Sequence, residues 1–185
     1  MEKRSLRACL GKEWLYCDGG TGSLLQEKGL KGGELPERWN LERPEDVIEI
    51  AESYFRAGAD IVNTNTFGAN RLHYADRAEL EQIVRAGVRH VREGLALSGR
   101  TDGFVALDLG PTGRLLKPMG DLEFETCVEI FAEVVRWGKE EGADLVLIET
   151  MSDAMEAKAA VLAAKENSDL PVFVTVVFDE KGKTL

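Results

Sequence analysis

Ala57-Gly58-Ala59-Asp60-Ile61-Val62 and Glu141-Gly142-Ala143-Asp144-Leu145-Val146 are two versions of one junction: a helix end, a glycine, then a strand of branched apolar residues. They start 84 positions apart, and one further apolar run, Phe104-Val105-Ala106-Leu107, lies between them. Each strand-plus-helix unit therefore occupies roughly 42 residues, a length that suits a large (β/α)8 barrel with loop insertions. Helix–glycine–strand junctions resemble one another in any α/β protein, so the spacing carries modest weight alone.

The same alternation continues outward in both directions. Upstream, Trp14-Leu15-Tyr16-Cys17 is a short apolar run stopped by Asp18-Gly19-Gly20. Arg43-Pro44-Glu45-Asp46 opens a helix, because proline suits the first helical turn and acids suit its positive end. Val47, Ile48, Ala51, Tyr54 and Phe55 recur at helical spacing up to Gly58. Leu80, Ile83, Val84, Gly87, Val88 and Val91 form a second stripe, and Cys127, Val128, Phe131, Val134 and Val135 a third, within about Glu123–Glu141. Downstream come an Ala-rich helix, Asp153–Lys165, and a strand, Val172–Phe178. The strands, at 14–17, 60–64, 104–107, 145–148 and 172–178, are continuous apolar runs, the pattern of a parallel sheet buried on both faces. The expected fold is thus α/β: about four βα units and a fifth strand, the N-terminal part of a (β/α)8 TIM barrel. Residues 1–185 then read as one partial barrel domain without its later strands and helices. An open five-stranded sheet is the alternative, and it needs a point where the strand order reverses.

The chain has 185 residues, 44% of them hydrophobic, and a formal net charge of −10. That supports one core. There is no basic cluster for nucleic acid or an anionic membrane, and no apolar stretch of the ~20 residues that span a bilayer. The N-terminal residues lack the apolar core of a signal peptide. Three unpaired cysteines, Cys9, Cys17 and Cys127, fit a reducing compartment, so a cytoplasmic location is expected.

In a parallel barrel the ligand sits at the C-terminal ends of the strands. The polar, turn-rich motifs fall at those ends: Asp18-Gly19-Gly20-Thr21-Gly22-Ser23, Asn63-Thr64-Asn65-Thr66-Phe67-Gly68, Asp108-Leu109-Gly110-Pro111-Thr112-Gly113 and Glu149-Thr150. Asp18 and Glu149 are carboxylates suited to an ammonium group, and glycine N–H groups beside Asp18 suit a carboxylate. Together they form an amino-acid clamp. The plainer alternative is that the acids only cap turns and helices, as Asp commonly does. Asp18–Ser23 matches neither dinucleotide nor P-loop glycine patterns, which argues against a phosphate cradle. The cysteines and the two histidines, His73 and His90, have no zinc-ligand spacing.

Leu15–Ser23, Gly58–Arg71, Asp108–Gly113 and Gly142–Thr150, in that order, resemble the homocysteine S-methyltransferase family. Trp39–Glu45 and Phe178–Leu185 are most similar to the homocysteine-binding module of cobalamin-dependent methionine synthase. The resemblance implies homocysteine at the mouth of the barrel, its amino group held by Asp18 and Glu149. Gly19, Asn65 and Thr66 help hold its carboxylate, and Asp108 lines the mouth. It also implies a zinc ion that turns the homocysteine thiol into a thiolate, held by three cysteines that in the family lie beyond the stretch matched here. No catalytic residue and no metal ligand is therefore expected within residues 1–185. The implied methyl donor is methylcobalamin on another module, which makes cobalamin- and folate-binding modules or chains the expected partners. Betaine- or S-methylmethionine-dependent relatives are the alternative for the donor. A non-catalytic half-barrel, working only with a partner chain or associating through open sheet edges, is the alternative for the whole.

Overall fold

The computed structural model describes residues 4–185. Four parallel strands, β1 (Ile61–Asn63), β2 (Phe104–Leu109), β3 (Leu145–Met151) and β4 (Val172–Val176), stand side by side in chain order. The order never reverses, so there is no switch point. The sheet runs in one direction with its four longest helices on one face, as a partial barrel does.

Side chains alternate along each strand. Val62, Val105, Leu107, Leu109, Val146 and Ile148 point outward and form the larger core with the helices. Ile61, Phe104, Ala106, Leu145 and Leu147 point inward and form a second cluster. Leu6 and Cys9 of the short helix α1 (Leu6–Cys9) close that cluster.

Helices α2 (Thr21–Glu27), α3 (Trp39–Glu42), α4 (Pro44–Ala57), α5 (Arg77–Leu97), α6 (Phe124–Glu140) and α7 (Ala154–Asn167) complete the chain, with a 3-10 turn at Pro36–Arg38. Proline at its start, Glu45 and Asp46 in its first turn and left-handed Gly58 at its end (φ 104°) delimit α4. Its buried stripe is Val47, Ile50, Ala51 and Phe55, so Ile50 takes the place expected of Ile48. Asp76 and Asp153 cap α5 and α7 by accepting from two backbone N–H groups each.

The repeated junction has a structural cause. Gly58 and Gly142 both take positive φ (104° and 94°), which a Cβ disfavours. The aspartate two residues later reaches back to the preceding strand. Asp60 Oδ2 accepts from Tyr16 N–H (3.0 Å), and Asp144 Oδ2 accepts from Val105 N–H (2.8 Å). Arginines secure both: Arg4 and Arg100 on Asp60, Arg92 on Asp144.

Two expected strands differ from the reading above. Trp14–Cys17 lies parallel to β1 but makes one bridge, Cys17 to Ile61, and not a strand. Tyr16 O accepts from Asp60 and Ile61 N–H, and Asp18 N–H donates to Ile61 O. Beyond that, β1 offers three residues to pair with, and Gly19-Gly20 ends the extended stretch. Trp14 (85% exposed) and Tyr16 (65%) face outward and add nothing to the core. β4 stops at Val176, and Val174 and Val176 are exposed where burial was expected. β4 pairs only with β3 among the described residues, so its outer edge is uncovered.

Candidate functional site

The C-terminal ends of the strands open into a cavity of about 800 Å³. Asp18, Asp108, Glu149 and Glu37 line it, and among the described residues no lysine, arginine or histidine does. Among the described residues no salt bridge reaches Asp18, Asp108 or Glu149.

Asp18 leaves the first extended stretch and turns over the end of β1, where its Oδ2 accepts from Asn63 N–H (2.8 Å). Burial, with repulsion from Glu149, pushes its carboxyl up to about 6 despite that hydrogen bond. At Gly19, which follows, a Cβ would lie 3.1 Å from the Tyr54 hydroxyl and would push it back by a few tenths of an ångström. The polar turn is shorter than its motif suggests: α2 begins at Thr21, and Ser23 Oγ bonds back to Gly20 O (3.0 Å).

Glu149 is the next inward residue after Leu147 on β3. It is half-buried, and burial raises its carboxyl above the usual value. Thr150, immediately after it, has φ 62°, an uncommon conformation for a β-branched residue. The β3–β4 register shifts between Ile148 and Met151, and Thr150 N–H donates to Thr175 Oγ1 (2.9 Å).

Asp108 stands inward on β2, 5% exposed. Its Oδ1 is buried with no hydrogen-bond partner. Burial, then repulsion from Glu149, Asp18 and Glu37, raises its carboxyl well above the usual range. A closed ring of hydrogen bonds fixes its backbone. Asp108 N–H donates to Thr64 Oγ1 (3.1 Å), the Thr64 and Thr66 hydroxyls meet at 2.6 Å, and Thr66 Oγ1 donates to Asp108 O (2.8 Å). Thr66 is fully buried and does not line the cavity.

Asn65 does line it, but its side-chain amide is committed: Nδ2 donates to Pro36 O (2.8 Å) and Asn40 Oδ1 (3.0 Å). The fold thus gathers Asp18, Gly19, Asn65, Asp108 and Glu149 around one cavity and places Thr66 behind it. Sequence reading missed Glu37 and Phe173 in the lining. Glu37 is 3% exposed and accepts from Gly68 N–H (2.7 Å) and Tyr74 OH (2.8 Å), closing the wall beside Asp108. It sits in a polar stretch with no periodic signal. Phe173 was open to detection, since it shares the inward parity of β4 with Thr175.

The profile of the family described as homocysteine S-methyltransferase matches residues 15–185. This chain belongs to the homocysteine S-methyltransferase family. Methionine synthase of Mycobacterium tuberculosis (strain ATCC 25618 / H37Rv) is 33% identical over 195 aligned positions, which cover 95% of this chain and 16% of that protein. The chain thus spans about a sixth of that relative's length. The homocysteine methyltransferase MmuM of Escherichia coli shares the fold. Its oxidised form superposes with a TM-score of 0.85 at 22% identity, covering 98% of this chain and 68% of that one. Its metallated form gives 0.83 at 21%, covering 97% and 68%. The partial TIM barrel is therefore shown by both topology and superposition.

Zinc does not fit the residues of this chain. Cys9 is buried in the inward core, Cys17 is exposed at the cavity and Cys127 is buried behind the sheet. Burial pushes the Cys127 thiol up to about 12, the opposite of what a thiolate ligand needs. Among the described residues no group of three or more His, Cys, Asp or Glu is placed to hold a metal ion.

Proposed function

We propose that the cavity binds the amino-acid end of homocysteine, and that the chain is the substrate-recognition part of a homocysteine S-methyltransferase that makes methionine. One observation carries the proposal. A half-buried cavity is lined by Asp18, Asp108 and Glu149 and holds no basic side chain. Clustered acids whose carboxyls are raised by burial call for a cationic ligand, and a free amino acid brings an ammonium group. Phosphate is disfavoured by the same acids.

Asp18 and Glu149 take the ammonium from opposite sides of the mouth. The carboxylate lies along the rim formed by Gly19, Asn65 and the turn that Thr66 supports. Because the Asn65 amide and the Thr66 hydroxyl already serve protein acceptors, main-chain N–H groups of the Gly19–Gly20 and Asn65 turns do the binding. Held at both charged groups, the substrate projects its sulfur away from the acids. These residues orient homocysteine; activation of its sulfur belongs to none of them. We further propose that the methyl donor is methylcobalamin carried on another module, and that cobalamin- and folate-binding modules are the partners. Support comes from Trp39–Glu45 and Phe178–Leu185 and from the identity to a methionine synthase.

Titration calorimetry of the chain with L-homocysteine tests the proposal. One site is expected, and Asp18→Asn or Glu149→Gln is expected to weaken it about tenfold to hundredfold, the usual worth of a charge-assisted hydrogen bond. Equal affinity in folded variants would leave the clamp without support.

A further inference from the structure

Asp18, Asp108 and Glu149 belong to three neighbouring positions of the sheet. Asp18 is tied to the end of β1 through Asn63, Asp108 is on β2, and Glu149 is on β3. Asp108 is in the middle. It shares its level with Leu147 and Phe173, and Glu149 stands one inward step higher. A cation gripped from the sides by Asp18 and Glu149 therefore lies over Asp108.

The Asp108 carboxyl has no part in the fold that would account for it. Asp108 lines the cavity, and its Oδ1 is buried without a hydrogen-bond partner among the described residues. Its backbone N–H and C=O are both held by the Thr64–Thr66 hydroxyl ring. An unpaired buried acceptor is costly, and the ring fixes at both backbone groups the residue that carries it.

We propose that Asp108 is the third acceptor of the substrate's primary ammonium, and that it makes the site reject amino acids whose nitrogen carries a methyl group. The inference rests on the homocysteine-binding reading above. An ammonium has three N–H donors in its free positions. Asp18 and Glu149 satisfy two, and the third points to the floor. An N-methyl group replaces one donor with bulk and leaves a buried acceptor unpaired, the situation in which polar sites discriminate strongly.

The charged groups acting on Asp108 are Glu149, Asp18 and Glu37, all acidic. With the cavity empty, burial and this repulsion raise the Asp108 carboxyl. A bound ammonium lowers it again, so any proton the empty site holds leaves to solvent as the carboxylate accepts the hydrogen bond.

Calorimetry at pH 7 in two buffers of different ionisation enthalpy reads affinity and proton release together. The wild-type chain is titrated with L-homocysteine and with N-methyl-L-homocysteine, then Asp108→Asn and Asp108→Leu with both. N-methylation is expected to weaken wild-type binding at least about tenfold. Asp108→Leu should weaken homocysteine by a similar factor and remove the discrimination, with Asp108→Asn between. Proton release should fall in both variants. Equal binding of the two ligands by the wild type overturns the inference, and this arm needs no variant to fold. Unchanged affinity and proton count in folded Asp108→Leu overturns it too. Failure of the wild type to bind homocysteine at all overturns the functional reading itself, and this inference with it.

Discussion

Asp18→Asn is expected to make the empty protein more stable at neutral pH while weakening its ligand. The Asp18 carboxyl is raised from 3.8 to about 6, mainly by burial. Because its folded value exceeds its unfolded one, the folded state holds the extra proton between those two values. Stability is therefore fully present below about pH 4, declines as pH rises through about 6, and stays reduced above it. At about 1.36 kcal/mol per unit, the ionised group costs on the order of 3 kcal/mol at pH 8. Asparagine keeps the size, and its carbonyl oxygen can still accept from Asn63 N–H, so the variant removes the charge and little else. At roughly 2–4 °C per kcal/mol for a chain of this length, the variant should melt about 6–12 °C above the wild type at pH 8, and only about 2–4 °C above it at pH 4.5. Circular-dichroism melts from pH 4.5 to 8, paired with urea titrations, give both curves. Should Asp18→Asn melt below the wild type at pH 8, Asp18 is a turn cap and the argument from burial fails. A flat wild-type curve would refute it as well, because Asp108 and Glu149 are shifted in the same direction and add to the slope.

Thr66→Val keeps the shape and breaks the hydroxyl ring, so it should cost about 1–3 kcal/mol of stability and also weaken homocysteine; a melt and a titration on one sample read both. Purified chain dialysed against a zinc-free buffer should retain well under one zinc per chain by elemental analysis, since its three thiols sit in three separate environments. One tightly held zinc, lost on mutating Cys17 and Cys127, would contradict that. The uncovered edge of β4, with Val174 and Val176 exposed, should drive concentration-dependent association in sedimentation velocity, and a cooperatively folding monomer at all concentrations would count against it.

The fold was legible where a residue's role depends on its chain neighbours. Proline and acids at Pro44–Asp46, glycine at Gly58 and Asp153 at the start of its helix act within one turn of their own helix, so sequence spacing exposes them; the Asp76 cap acts in the same way but was not singled out. The echo at Gly58–Asp60 and Gly142–Asp144 was visible for the same reason, although its cause, a carboxylate bonded to the preceding strand, is not local. Trp14–Cys17 misled because apolar composition does not say how much partner strand is available. In the site, Asp18, Asp108 and Glu149 were legible as acids ending apolar runs. Thr66 was not legible as a support residue, since its hydroxyl is spent on Asp108, 42 positions away. Glu37 could not be found at all, because its bonds to Gly68 and Tyr74 cross the fold.

The two ends of the sheet treat acidic residues in opposite ways, and that contrast supports the proposed site more directly than any motif does. At the N-terminal end of β1, Asp60 meets Arg4 at 3.0 Å and Arg100 at 3.2 Å. Against the desolvation of its burial, the Tyr16 amide and these guanidiniums hold its carboxyl below the usual value. At the C-terminal end, Asp18, Asp108 and Glu149 have no such partners among the described residues, and all three carboxyls are raised. Thr150 adds backbone strain on the order of 1–3 kcal/mol beside Glu149. A fold able to pair Asp60 so fully has no need, for stability, to leave three acids unpaired in one cavity. Unpaired charge and strain at one mouth are what a site retains when its missing partner is the ligand. Replacing all three acids by their amides should accordingly give a chain that is more stable at pH 8 and blind to homocysteine. If it proved less stable, the acids would be structural and the cavity would lose its claim to a substrate.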